Sequence, residues 1–152
     1  MNKTSMYLIV AVVVIVIIVG GVLAYVLTRP GGSGSGVNTM DVYAAEYKFG
    51  TSAGSLSSPG PTLTFTAGQS YTITLHNMGT MSHNFAIVTT KADGSTALAF
   101  SGAQIGSTSN PITAGSTGSC TFTASTSGSY YYICQVDGHV SLGMWGPVTV
   151  NP

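Results

Sequence analysis

Between turn-forming clusters the chain alternates apolar and hydroxyl-bearing residues with a period of two, and that pattern commits it to short strands packed through one face. Thr62-Leu63-Thr64-Phe65-Thr66 and Tyr71-Thr72-Ile73-Thr74-Leu75 carry it most plainly, each with one apolar and one hydroxyl face. Ala67-Gly68-Gln69-Ser70 between them has the chemistry of a turn that either joins the two strands or sends the chain to a second sheet. Comparable runs cover residues 40–49, 62–67, 71–76, 84–90, 119–124, 130–134 and 148–150. Short strands at this spacing predict an all-β fold, a β-sandwich with Greek-key connections. Residues 90–118 are rich in Gly, Ser and Ala, with scattered Leu98, Phe100 and Ile105, and read as a long loop holding a short strand or helical turn.

The N-terminal part has a different composition. No residue from Met6 to Leu27 is charged, and the run is long enough to cross the roughly 30 Å hydrocarbon layer of a bilayer as a helix. The expected organisation is a short tail over residues 1–5, a single transmembrane anchor over 6–28, a Gly/Ser linker over 29–38 and one domain over 39–152. A cleaved signal peptide is the competing reading, but its apolar core is usually about 7–15 residues and no clear A-x-A site follows. Lys3 and Arg29 flank the run, so the positive-inside rule favours a cytoplasmic N-terminus only weakly. The linker Arg29-Pro30-Gly31-Gly32-Ser33-Gly34-Ser35-Gly36 is a flexible tether by composition.

Beyond the linker the charged residues are Asp41, Glu46, Lys48, Lys91, Asp93 and Asp137. So few charges suit an acidic exterior, where protonated carboxylates no longer supply ion pairs. They equally suit the Ser/Thr-rich surface of an ordinary secreted protein. With no basic patch, nucleic acid is excluded as a partner.

Cys134, His139 and Met144 stand at C-x4-H-x4-M, and His83 heads the apolar run His83-Asn84-Phe85-Ala86-Ile87-Val88. A thiolate, two imidazoles and a thioether are the donor set of a type 1, or blue, copper site, which serves both Cu(I) and Cu(II) with little rearrangement. One loop supplies three of these residues, and a distant strand the fourth. Gly138 and Gly143 each precede a loop ligand and can take the backbone angles that fold the loop back on itself. Asn84, beside His83, is placed to tie the two ligand segments together and to lie near the thiolate. Val140, Leu142 and Trp145 flank the ligands and offer either an apolar patch beside His139 or plain core packing.

Each assignment has a plainer rival. Cys120 and Cys134 are the chain's two cysteines, and a disulfide between them would abolish the metal site. In the alternating run Ser119-Cys120-Thr121-Phe122-Thr123, Cys120 reads instead as a small buried residue. His76 has no partner at ligand spacing and reads as a surface or loop histidine. Met78 and Met81 compete with Met144 for the axial position but lie outside the Cys134–His139 loop.

Leu75-His76-Asn77-Met78-Gly79 followed by His83-Asn84-Phe85, and Gly128-Ser129-Tyr130-Tyr131-Tyr132-Ile133-Cys134 with its ligand loop, resemble the L-x-N-x-G…H-N-F and G-x-Y-x-Y-x-C patterns of the cupredoxins. The resemblance spans most of residues 40–150, and the two four-residue gaps resemble those of rusticyanin. It implies a cupredoxin-like Greek-key β-sandwich behind the transmembrane helix. Anchor, tether and charge-poor domain together resemble sulfocyanin, the membrane-bound blue copper protein of acidophilic archaea. That resemblance implies a single-pass protein of the cell membrane with its copper domain on the extracytoplasmic side. It further implies electron transport in a respiratory chain, with a terminal oxidase or another respiratory complex as partner, and no enzymatic activity.

Three alternatives compete with this reading. A copper enzyme needs further centres built from paired histidines, and His76, His83 and His139 are all the chain has. A metal-free surface adhesion module requires the Cys120–Cys134 bridge. Copper storage or delivery predicts exchangeable metal without electron transfer.

Overall fold

The computed structural model of the protein describes residues 37–152, so the expected anchor and nearly all of the linker lie outside the described residues. Ten strands build the domain: β1 (Asn38–Ala45), β2 (Lys48–Gly50), β3 (Leu56–Ser57), β4 (Leu63–Thr66), β5 (Ser70–Asn77), β6 (Phe85–Val88), β7 (Gln104–Ile105), β8 (Thr117–Thr123), β9 (Gly128–Ile133) and β10 (Trp145–Asn151). Among the described residues there is no helix. One sheet runs β3-β2-β1-β5-β8 and the other β4-β10-β9-β6-β7. The pairs β1·β5 and β4·β10 are parallel and the rest antiparallel, as connections that cross between sheets require.

Alternation along the strands decides which side chains meet. In β5, Tyr71, Ile73 and Leu75 are buried, while Thr72, Thr74 and His76 face outward. In β4, Leu63 and Phe65 do the same. These two strands belong to opposite sheets, so the turn at residues 67–69 carries the chain across the sandwich instead of closing a hairpin. The core between the sheets holds Phe49, Phe65, Phe85, Phe122 and Tyr132. Tyr132 is wholly buried and donates its hydroxyl to the Pro61 carbonyl at 2.6 Å. A Cβ at Gly60 or Gly146 would collide with its ring or hydroxyl, which is why glycine stands at both.

Two expectations change. The run at residues 40–49 is two strands joined by a tight turn, β1 and β2, and Tyr47 sits in that turn at φ 59°. No Gly, Asn or Pro marks it, so the apolar alternation simply reads through. The strand expected at residues 148–150 starts earlier, at Trp145, because β10 pairs with β9 along its length up to Trp145↔Ile133. In the long segment, β7 is the short strand, paired with β6.

Candidate metal centre

Strand parity aims the thiol. Tyr130 and Tyr132 on β9 and Cys134 just after it share the face turned to the core, so the residue that follows the strand carries its sulfur inward at one end of the sandwich. Ile133 belongs to a smaller cluster on the opposite face, with Ala86, Val88 and Val140. His83 reaches the same end from a connection fixed by backbone pairing. Its N–H donates to the Ile112 carbonyl at 3.0 Å, and the Ile112 N–H returns a bond at 2.8 Å.

His139 and Met144 arrive on a loop wound by its own amides. The His139 N–H donates to the Val136 carbonyl at 3.1 Å, and the Met144 N–H donates to the His139 carbonyl at 2.9 Å. The neck closes where the Cys134 N–H donates to the Met144 carbonyl at 3.1 Å. Gly138 at φ 76° and Gly143 at φ 98° make these reversals, in the region that favours glycine. At Gly143 a Cβ would also strike the Ser58 hydroxyl, which donates to the Gly143 carbonyl at 3.1 Å.

The three donor groups converge. Sγ of Cys134 lies 3.3 Å from Nδ1 of His139 and 3.9 Å from Nδ1 of His83, and the two Nδ1 atoms are 3.3 Å apart. Donors roughly 2.0–2.3 Å from one ion and spread in a plane around it stand about 3.5–3.8 Å from one another. All four expected residues are buried, with His83, Cys134 and Met144 at 0% exposure and His139 at 3%. Burial, helped by the neighbouring His139, lowers the His83 imidazole to about 4, and burial also lowers His139 against the pull of Asp93. Both rings therefore offer neutral nitrogens near neutral pH. Burial pushes the Cys134 thiol up, so the group keeps its proton until a bound cation displaces it.

Cys120 and Cys134 are both free, which removes the disulfide. Cys120 packs half-buried against the core, with burial raising its thiol to about 11. His76 lies on the outer face of β5, hydrogen-bonded to Asp41 at 2.7 Å and stacked on Tyr43. Met78 and Met81 are 51% and 39% exposed, which leaves Met144 as the buried thioether on the loop.

Asn84 stands where its neighbours need it. Its N–H points at the Cys134 sulfur at 3.5 Å, and its Oδ1 accepts from the Gln135 N–H at 2.6 Å. Gln135 was not singled out in the sequence, yet it is buried at the centre of this network. Its Oε1 accepts from Asn84 Nδ2 at 2.8 Å and Gln104 Nε2 at 2.9 Å, and its Nε2 donates to the Ser95 carbonyl at 2.7 Å. Position next to the cysteine was the one available signal. Tyr47 was also missed: its ring meets His139 edge-on at 5.2 Å, and its hydroxyl donates to the Met81 sulfur at 3.7 Å. Of the expected apolar flank, only Leu142 is well exposed, while Val140 is buried and Trp145 lies under the Lys91 ammonium.

The family model of copper binding proteins, plastocyanin/azurin family, matches residues 45–151. The chain belongs to this family. Solved structures repeat the sandwich. Auracyanin B superposes with a TM-score of 0.57 at 24% identity, over 76% of this chain and 89% of that one. The auracyanin of Roseiflexus castenholzii gives 0.55 at 22%, over 76% and 98%. A multicopper oxidase gives 0.54 at 22%, over 76% of this chain but 42% of that one. No curated protein matches the chain in sequence. At these identities the structural likeness concerns the fold alone. Family membership and the buried thiolate, imidazole and thioether donors fit one type 1 copper ion.

Proposed function

We propose that the chain is a membrane-anchored mononuclear blue copper protein that carries single electrons in an extracytoplasmic respiratory chain, toward a terminal oxidase. The observation behind this reading is the convergence of His83, Cys134 and His139 in a buried site whose two ligand segments are tied together by the Asn84–Gln135 hydrogen bonds. When bound, copper supplies a one-electron Cu(II)/Cu(I) couple. His83, Cys134 and His139 would hold the ion through two imidazole nitrogens and a thiolate, and Met144 would add a thioether that tunes the couple. Asn84 and Gln135 keep the ligand segments from shifting as charge changes, which keeps reorganisation small. His139 lies nearest the surface of the ligands, beside Tyr47, and is the exit for the electron.

The uncharged run over residues 6–28 supports the anchor, and the tether after it supports a domain held near the extracytoplasmic face. Together with the sparse charge, these features support a sulfocyanin-like carrier of an acidic habitat. An enzymatic role lacks material: the histidines number three, two serve this site, and His76 is committed to Asp41.

Voltammetry of the copper-loaded full-length chain tests the proposal. A reversible one-electron wave that moves to lower potential in Met144→Gln supports it, because the axial ligand tunes the couple. An irreversible wave, or metal that exchanges freely with a weak chelator, points instead to storage or delivery. Recovery of the full-length chain in the soluble fraction would remove the anchor from the proposal.

A further inference from the structure

Residues 89–97, which join β6 to the rest of the long segment, touch the ligand loop and the strand after it at Lys91, Asp93 and Ser95. The Lys91 ammonium sits 3.7 Å over the Trp145 ring. Oδ1 of Asp93 accepts from the N–H groups of Val140 at 2.9 Å and Ser141 at 3.3 Å, and its Oδ2 accepts from the Ser141 hydroxyl. The Ser95 carbonyl accepts from Gln135 Nε2 at 2.7 Å. The excursion is closed at its base, where Val88 bridges Leu98 and the Ala99 N–H donates to Ile87 at 2.8 Å.

We propose that Asp93 is a positioning residue for the metal centre, through which residues 89–97 brace the part of the loop between His139 and Met144. The inference rests on the copper reading above. Val140 and Ser141 lie at the apex of that turn, and among the described residues Asp93 is the acceptor their amides find. Hydrogen bonds to an ionised acceptor are stronger than neutral ones. A carboxylate gripping both amides at once fixes the orientation of the peptide that follows His139, and so the direction from which the imidazole enters. The chain spends few charges: Asp93 is one of four acidic residues in 152. Its placement here, 47 residues from Val140, is not explained by general surface polarity. The Gln135 and Lys91 contacts hold the two flanks of the same loop, so Asp93 secures the segment they leave free.

Amide hydrogen exchange on the copper-free full-length chain reads the brace directly. In Asp93→Ala, Val140 and Ser141 are expected to exchange about tenfold faster or more, with β5 and β10 unchanged. Tenfold corresponds to about 1.4 kcal/mol, near the lower end for a hydrogen bond to a charged group. Asp93→Asn, which keeps an acceptor oxygen, should recover part of the protection. Copper-loaded Asp93→Ala should show an altered EPR signature and release copper to a chelator severalfold faster, with Asp93→Asn between it and the unchanged protein. Exchange and copper release both within twofold of the unchanged protein would overturn the proposal. Faster exchange with an unaltered EPR spectrum and release rate would also overturn it, making Asp93 a turn cap with no bearing on the metal. A chain that takes up no copper would contradict the functional reading, while the exchange rates would still decide whether the brace exists.

Discussion

The two histidines reach one site by different means. His83 stands in a connection held by main chain: its N–H and C=O both pair with Ile112, and behind it the buried Asn77 donates to the Met81 and Ile112 carbonyls at 2.8 and 2.9 Å. His139 stands on a turn whose order comes from two positive-φ glycines and from side chains sent by remote segments, chiefly Asp93 and Asn84. The ring nitrogen of His83 away from the site, Nε2, is buried with no partner, so that imidazole is held by where its backbone goes and by packing around it. A ligand fixed by sheet-like pairing is hard to displace. One fixed by a loop can sit close to the surface and take part in transfer.

Replacing each histidine gives the widest separation between the two regions. His83→Ala and His139→Ala should each weaken copper binding by more than about a hundredfold, beyond what changes around the ligands cost. Free imidazole should restore the visible spectrum in the His139 variant, whose ring lies near the surface, and fail in the wholly buried His83 variant. Equal rescue of both would erase the distinction.

Asn77→Ala comes next. It removes the two donated bonds and the one its Oδ1 accepts from Gly79 at 3.0 Å, all in a buried setting. About 1 kcal/mol per bond gives a loss of about 3 kcal/mol, read as a lower urea midpoint with an unchanged slope. A change under about 1 kcal/mol would mean the His83 connection stands without its asparagine.

Glu46 gives the smallest and most pH-specific effect. It accepts from the N–H and, at 2.9 Å, the hydroxyl of Thr80, and these bonds hold its carboxyl at about 2 against an ordinary value of 4.5. A depressed folded value means that its stabilisation is whole above the ordinary carboxylate range and is lost as pH falls toward 2. Glu46→Gln should therefore melt lower than the unchanged protein at pH 7, with the gap closing between about pH 4.5 and 2. A gap independent of pH would assign the effect to something other than the ionised carboxylate.

These contrasts also explain what could be read from the sequence. The strands with clean alternation, β4 and β5, are legible because burial acts on every second residue, and Cys134, His139 and Met144 are legible because a metal demands particular atoms at short spacing. Asn84 follows from standing beside His83. Asp93, Ser95 and Lys91 are not legible, since their partners lie tens of residues away and a loop has no period. Scarcity was the remaining clue: of the four acidic residues, Asp41 pairs with His76, Glu46 caps Thr80 and Asp93 grips the ligand loop. The turn at Tyr47 stayed hidden because its backbone angle is imposed by the pairing of β1 with β2.

The free thiol of Cys134 is the point on which the whole account turns. Titrating the full-length chain with Cu(II) while recording visible absorption tests it most directly. The expected result is an intense thiolate-to-copper band that saturates at one equivalent and vanishes in Cys134→Ser. A colourless titration, or a band that survives that substitution, would contradict it.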